Sequence, residues 1–215
     1  NQPSVDDYKR AIMRYPSAKA ILVINPTYFG AVADLKEITA FAHAHNVAVL
    51  VDEAHGAHYY FNDNGPISAM KAGADLASVS FHKTGGSLTQ SSVLLLKGQR
   101  VSPFEVQKSL NIINTTSPSN LLIASLDAAR QYVATKGQEA MNEVLAFSRQ
   151  AREQIAKIKG FIPRDREHFL QKGCFDYDET KLVIELDHLD FSGFDLYYLL
   201  KEKYHIQVEL AETYV

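Results

Sequence analysis

Short apolar runs alternate with amphipathic segments along the first hundred residues of the chain. The apolar runs predict strands at 20–24, 47–51, 76–80 and 92–96. Apolar residues at helical spacing predict helices between them, at 5–14, after a cap at Asp34, and at 68–72. Strands that alternate with helices favour an α/β fold, in which helices cover both faces of a mostly parallel sheet.

The second of these helices carries a predicted capping box. Asp34 stands at the cap, and Glu37 follows three residues later, in the position from which a side chain reaches back to the cap. The apolar residues of the segment predict one buried face: Leu35, Ile38, Phe41 and Ala42.

The pattern changes near Gly98. The remaining predicted elements are helices at 104–113, 121–132 and 138–159, a strand at 181–186, a helix at 194–204 and a strand at 206–210. We therefore divide the chain into part of a large domain (1–135), a long connecting helix (136–160) and part of a smaller α+β domain (161–215). A start at Asn1 and an end inside a predicted strand lead us to expect an excerpt of a longer protein.

Composition excludes several classes of protein. The net charge is only −3 and the basic residues are dispersed, which argues against nucleic acid or an anionic membrane as partner. No apolar run reaches the roughly 18 residues of a membrane span. The single cysteine, Cys174, rules out an internal disulfide, suits a reducing compartment and is read as a small apolar residue. A cytoplasmic enzyme is the expectation.

Candidate chemistry lies directly after two predicted strands. Asp52 and His55 follow the strand at 47–51, and Lys83 follows the strand at 76–80. Because ligands of open α/β sheets bind beyond the carboxyl ends of the strands, these side chains should converge at one edge. A lysine that forms a Schiff base and a carboxylate that pairs with a pyridinium nitrogen are the components of a pyridoxal phosphate (PLP) site.

Residues beside Lys83 strengthen this interpretation, although most lysines are merely solvated charges. Ser80 and His82 alternate with Phe81, so they are predicted to share one face and to donate to a phosphate. Gly85 and Gly86 would let the backbone pass close to a bulky ligand. A lone strand-end serine, in contrast, is usually an ordinary hydroxyl.

Other interpretations exist for the segment after the strand at 47–51. An isolated Asp52 more often caps a turn, and Glu53 is read as a structural or rim carboxylate. His55 and His58 are spaced as two metal ligands on one helical turn, but no third ligand stands at a recognisable spacing. His55 is therefore assigned to the cofactor ring, and His58 is read as a solvated loop residue.

Several motifs in order along the chain resemble the Orn/Lys/Arg decarboxylase family. The matching segments are Asn-Pro-Thr-Tyr-Phe-Gly at 25–30, Val-Asp-Glu-Ala-His-Gly-Ala-His at 51–58, Ser-Phe-His-Lys-Thr at 80–84, Leu-Thr-Gln-Ser-Ser at 88–92 and Thr-Thr-Ser-Pro-Ser at 115–119. The resemblance implies the fold of aspartate aminotransferase (fold type I), PLP as cofactor, and a homodimer or higher homo-oligomer.

The resemblance also implies roles for individual residues. Lys83 would hold PLP as a Schiff base, Asp52 would pair with the pyridinium nitrogen and His55 would lie near the phenolic oxygen. Ser80 and His82 would bind the phosphate. Hydroxyl groups of the 115–119 segment would reach the phosphate across the dimer, with the candidates Thr115, Thr116 and Ser117. The ring-stacking residue and a further phosphate loop would belong to upstream sequence.

The implied reaction is decarboxylation of arginine, lysine or ornithine to an amine and CO2. A basic substrate side chain needs a carboxylate in the pocket, and Glu209 and Glu212 are candidates within this chain. Two alternatives stay open: another fold type I reaction, by an aminotransferase or an acyl-condensing synthase, and a homologue that binds PLP without turnover.

Overall fold

A computed structural model describes residues 2–171, 174–187, 189–190 and 192–212. The helices are α1 (Val5–Arg14), α2 (Leu35–Ala44), α3 (Ala69–Ala72), α4 (Phe81–Thr84), α5 (Pro103–Ile113), α6 (Asn120–Ile155), α7 (Arg166–Gln171) and α8 (Gly193–Tyr204), with a turn of 3₁₀ helix at Ala57–Tyr60. The strands are β1 (Ala20–Ile24), β2 (Ala31–Val32), β3 (Ala48–Asp52), β4 (Leu76–Val79), β5 (Val93–Leu96), β6 (Phe161–Arg164), β7 (Asp176–Tyr177) and β8 (Val183–Leu186).

The four strands predicted in the first hundred residues form one sheet in the order β1-β3-β4-β5. The pairs β1–β3 and β3–β4 are parallel, and β5 runs antiparallel to β4. The register places Ile24 beside Asp52 and Asp52 beside Ser78, so β1, β3 and β4 end at the same edge. The predicted α/β architecture with a mostly parallel sheet is therefore confirmed.

The core lies between this sheet and its helices. Val23, Val49 and Val51 of the sheet are at most 1% exposed, and so are Leu35 and Ile38 of α2. Each of these side chains gains roughly 1.5–3 kcal/mol from full burial. Burial of this one face fixes the register of the strands, because a slip by one residue would turn every side chain to the opposite face.

The capping prediction for α2 is half correct. The Asp34 side chain accepts a hydrogen bond of 3.0 Å from the backbone N–H of Glu37, as expected for the cap. The Glu37 carboxylate instead pairs with Lys9 of α1 at 2.6 Å, so an ion pair between two helices takes the place of the reciprocal bond.

Two predicted helices, 121–132 and 138–159, form the single 36-residue helix α6. Gly137 lies inside it, and a Cβ at that position would come within 2.9 Å of the Cβ of Phe61. The glycine therefore permits close packing of α6 against the segment after β3 and does not end the helix. No helix of the described residues is long and apolar enough to cross a membrane.

The C-terminal predictions need two corrections. The strand expected at 181–186 begins only at Val183, because Lys181 closes a turn by donating its N–H to the Asp178 carbonyl at 3.0 Å. The strand expected at 206–210 is absent from the described residues, where this mostly exposed segment pairs with no neighbouring strand. No pattern in the sequence predicted the short antiparallel pair β2–β7, which joins the segment after β1 to the C-terminal part of the chain.

Candidate active site

A turn after β1 carries the first aromatic residue of the site. Buried Asn25 accepts the N–H of Ala33 at 2.8 Å, and Thr27 bonds to Ala31 through both its backbone N–H and its side-chain oxygen. These contacts hold the segment that presents Tyr28. The Tyr28 ring then lies edge-on to His55, with 4.9 Å between the ring centroids.

Lys83 lies on the single helical turn α4, which starts where β4 ends. This turn contradicts the predicted strand-like alternation of Ser80 and His82 about Phe81, because residues 81–84 are helical. Phe81 points into the core at 5% exposure, and Gly85 packs directly on its ring. The glycine at 85 thus makes room for a phenylalanine, whereas Gly86 adopts a positive φ of 87° with open space beside it.

His55 is bracketed by two lysines. Its Nε2 lies 3.3 Å from Nζ of Lys83, and its Nδ1 lies 3.5 Å from Nζ of Lys181. Partial burial lowers the pKa of His55 to about 4, and the ammonium groups of Lys181 and Lys83 contribute to this shift. The negative charges of Asp52 and Glu209 oppose it only partly. His55 is consequently neutral at physiological pH.

Asp52 and Ser80 occupy the ends of adjacent strands. One carboxylate oxygen of Asp52 accepts the N–H of Ala54 at 3.1 Å, so the residue does cap the following turn. The bond involves one oxygen, Oδ1, and leaves Oδ2 for another partner. Ser80 stands at the N-terminus of α4, and its hydroxyl makes no capping bond there.

His82 is fixed by the segment before β5. Both its backbone N–H, at 3.2 Å, and its ring Nδ1, at 2.9 Å, contact the carbonyl oxygen of Ser91. Because a carbonyl only accepts, Nδ1 carries a proton. The ring then donates from Nε2 only in its doubly protonated form.

The hydroxyl groups of Thr115, Thr116 and Ser117 lie apart from this cluster. All three residues are exposed in the turn between α5 and α6, and Thr115 accepts the N–H of Ser117 at 3.2 Å. Within the described residues, none of them contacts Lys83, His55 or His82. Their predicted role across a dimer stays a prediction.

A cavity of about 740 Å³ opens beside Lys83 and His55. Its other wall comes from the C-terminal part of the chain, including residues 180–184 and 208–212 together with Gly193, Leu196, Tyr197 and Leu200. Across the cavity the Tyr28 hydroxyl donates a hydrogen bond of 2.7 Å to Oε1 of Glu209. Glu212 also lines the cavity. The volume falls within the range of about 300–1,000 Å³ typical of small-molecule sites.

Lys181 was not singled out in the sequence, because a lysine in a polar turn is usually a surface charge. The turn that carries it is held by Arg152 of α6, whose guanidinium donates to the carbonyl of Glu179 at 2.9 Å and to the carbonyl of Lys181. Tyr28 belongs to a motif of the sequence but had no assigned role there. No local pattern marked Lys181, and the motif at 25–30 did not predict the contact of Tyr28 with His55.

Glu53, the acidic residue directly after β3, is structural. Glu53 is fully buried and accepts hydrogen bonds from Tyr60 at 2.5 Å and from the N–H of Ala69 at 2.8 Å. Burial raises its pKa to about 7. This confirms that Glu53 is a structural carboxylate and excludes the alternative that it lies at the exposed rim of the site.

The prediction of a solvated His58 is wrong. The ring is 4% exposed and pairs with buried Asp178 at 3.1 Å. His55 and His58, weighed as two ligands of one metal, therefore have different partners. The His58–Asp178 pair joins the segment after β3 to the turn that carries Lys181.

The chain matches the family model described as Orn/Lys/Arg decarboxylase, major domain, over residues 3–190. It is 47% identical over 211 residues to an arginine decarboxylase of Bacillus subtilis and 46% identical to one of Halalkalibacterium halodurans. Each match covers 98% of this chain and 43% of the relative. The chain thus spans less than half the length of these curated relatives.

Solved structures share the fold at low sequence identity. A lysine decarboxylase of Francisella novicida superposes with a TM-score of 0.76 at 18% identity, over 98% of this chain and 36% of that protein. An alanine–glyoxylate aminotransferase of Nostoc sp. superposes with a TM-score of 0.74 at 13% identity, over 99% and 57%. The chain has the architecture of fold type I PLP enzymes, as the sequence predicted.

Proposed function

The chain belongs to the Orn/Lys/Arg decarboxylase family, and on this basis we propose that it forms part of an enzyme that decarboxylates a basic amino acid to an amine and CO2. PLP is the cofactor of this family. The observation that carries the proposal is a line of contacts from Lys83 through the rings of His55 and Tyr28 to Glu209. One end offers an amine for covalent binding, and the other offers a carboxylate for a cationic side chain.

The residues present fit the cofactor. The Lys83 amine borders a cavity of suitable size and forms no ion pair with a carboxylate of the described chain. Lys83 would hold the cofactor through this amine, Asp52 would pair with the ring nitrogen through its remaining oxygen, and Ser80 and His82 would bind the phosphate. Because Nδ1 of His82 already donates to Ser91, the doubly protonated ring would be the form that binds phosphate.

When bound, the cofactor supplies an electron-poor ring that takes up the electron pair left by the departing carboxylate. Asp52, as an anion, would keep the ring nitrogen protonated. Neutral His55 would contribute one hydrogen bond beside Lys83. Glu209 would bind the ammonium or guanidinium group of the substrate and so orient the substrate within the cavity.

We further propose a homodimer in the cytoplasm. The turn at 115–119 is polar, but the helices on either side of it, α5 and α6, expose large apolar side chains. Phe104, Ile112, Ile113 and Leu121 are 69–76% exposed. Exposed apolar groups of this density are typical of a protein interface. A second copy there would bring the hydroxyls of Thr115, Thr116 and Ser117 to the neighbouring site. The single cysteine supports a reducing compartment.

The test of the activity is an assay of the full-length protein with PLP and, separately, arginine, lysine and ornithine. We expect CO2 and the corresponding amine in equal amounts from at least one substrate. A keto acid formed without CO2 would indicate transamination, and binding of PLP without any product would indicate a non-catalytic homologue. Either result contradicts the proposal.

A further inference from the structure

His55 has an ammonium group at each of its two ring nitrogens, which is an unusual environment for a neutral imidazole. Lys83 faces Nε2 at 3.3 Å and Lys181 faces Nδ1 at 3.5 Å. A neutral imidazole has one acceptor nitrogen and one N–H. Only one of the two ammonium groups can therefore donate to the ring, while the other faces an N–H.

The two lysines differ in what they can become. Under the proposed function Lys83 is bound covalently by the cofactor, and its nitrogen is then no longer an ammonium group. Lys181 has no such fate and keeps its positive charge. Of the two competing donors, Lys181 is the one that persists in the loaded enzyme.

We propose that Lys181 is a positioning residue that donates a hydrogen bond to Nδ1 of His55 and thereby keeps the ring proton on Nε2, the nitrogen that faces Lys83. The inference rests on the proposed function only in assigning the cofactor to Lys83. It gives His55 a defined role: an N–H donor directed at the atoms bound at Lys83.

The position of Lys181 is constrained from several sides. Its turn is closed by the bond to the Asp178 carbonyl, and Arg152 binds the carbonyl of Lys181 itself. Its carbon stem lies so close to Gly30 that a Cβ there would come within 2.9 Å of the Lys181 Cγ. Packing of this kind fixes a lysine that would otherwise move freely.

The charge of Lys181 is also directed at the ring. Lys181 forms no ion pair with a carboxylate in the described part of the chain, so its ammonium is not diverted from His55. The other groups around the ring are Lys83, Asp52 and Glu209, together with the Tyr28 ring. Of these described groups and Lys181, only the two lysines lie within hydrogen-bond distance of a ring nitrogen. Lys83 faces Nε2, and Lys181 faces Nδ1.

The test records ring ¹⁵N chemical shifts of ¹⁵N-histidine-labelled full-length protein by NMR, without cofactor and over a pH series. Lys83→Met removes the competing ammonium, and loss of signals in an added His55→Gln variant identifies the residue. We expect Lys83→Met to show a protonated Nε2 and an unprotonated Nδ1. Adding Lys181→Met should produce a mixture of both tautomers and raise the titration midpoint of His55 by about one unit or more.

Two further variants serve as controls. Lys181→Arg keeps a cationic donor and should preserve the Nε2–H tautomer. Lys71→Met removes an exposed lysine that pairs with Asp63, and in the Lys83→Met background it should leave His55 unchanged.

A proton found on Nδ1 in Lys83→Met would overturn the proposal, whatever the fate of the double variant. So would an identical tautomer and midpoint with and without Lys181. Because no cofactor or substrate is present, both outcomes are independent of whether the protein decarboxylates amino acids.

Discussion

Tyr28 and Glu209 are joined by a hydrogen bond of 2.7 Å across 181 residues of sequence. The bond connects the turn after the first strand of the sheet to the C-terminal segment, and it fixes a carboxylate on the wall of the cavity that contains Lys83. The hydroxyl occupies one oxygen of the carboxylate and leaves the other for a cationic ligand.

Replacing Glu209 by glutamine should weaken binding of a basic substrate. A hydrogen bond to a charged group is worth about 1.5–3 kcal/mol, so KM for the preferred substrate should rise roughly 10- to 100-fold. Steady-state kinetics of the full-length protein measure this. Glu212→Gln is the matched control, since Glu212 lines the same cavity without the bond to Tyr28. An unchanged KM in Glu209→Gln, together with a raised KM in Glu212→Gln, would contradict this prediction and would assign the cationic group of the substrate to Glu212.

Asp52→Asn should retain the cofactor but lose turnover. A neutral amide does not hold the ring proton, and loss of one such electrostatic contact lowers kcat on the order of 10²-fold or more. Absorbance of the purified variant reports the bound cofactor, and CO2 release reports kcat. The amide oxygen still accepts the N–H of Ala54, so the turn after β3 is preserved. Near-normal kcat would contradict the role assigned to Asp52.

Glu53→Gln should change how stability depends on pH. The folded pKa of Glu53 is about 7 and its ordinary value is 4.5. Between these values the folded state binds more protons than the unfolded chain, so stability falls as the pH rises through this window and levels off above it. The glutamine variant should lose this component and have a higher Tm than the wild type at about pH 8. Parallel Tm–pH curves for the two proteins would contradict the pKa shift.

The sequence predicted the sheet and one side of the site well, because both depend on local pattern. Apolar runs located four strands, and the rule that ligands lie beyond strand ends brought Asp52, His55 and Lys83 to one edge. Lys181 escaped detection, because its contact with His55 spans 126 residues of sequence. Glu209 was one of two candidate carboxylates, but its bond to Tyr28 spans 181 residues and follows from no local pattern.

Predictions from local sequence pattern were wrong where tertiary packing determines the role of a residue. Gly137 resembles a helix break, yet it lets α6 approach Phe61. His58 resembles a solvated residue, but its partner Asp178 lies 120 residues away. No periodicity in the sequence encodes such pairs.

A dimer should form through the apolar surface around the turn at 115–119. Replacing Ile112 and Ile113 by glutamate introduces charges into this surface, so we expect dissociation together with loss of activity. Analytical ultracentrifugation measures the mass. Ile158→Glu is a control at another exposed apolar residue, which is 52% exposed. An active wild-type monomer, or an undisturbed dimer in the glutamate variant, would refute the assignment.

The most direct test of the account is the identity of the lysine that carries the cofactor. Lys83 is the lysine placed at a strand end, on the cavity and against the Nε2 of His55. Borohydride reduction of the loaded full-length protein, followed by peptide mapping, should recover the reduced cofactor on Lys83, and Lys83→Met should take up no label. Recovery of the label on Lys181 or on any other lysine would contradict the account.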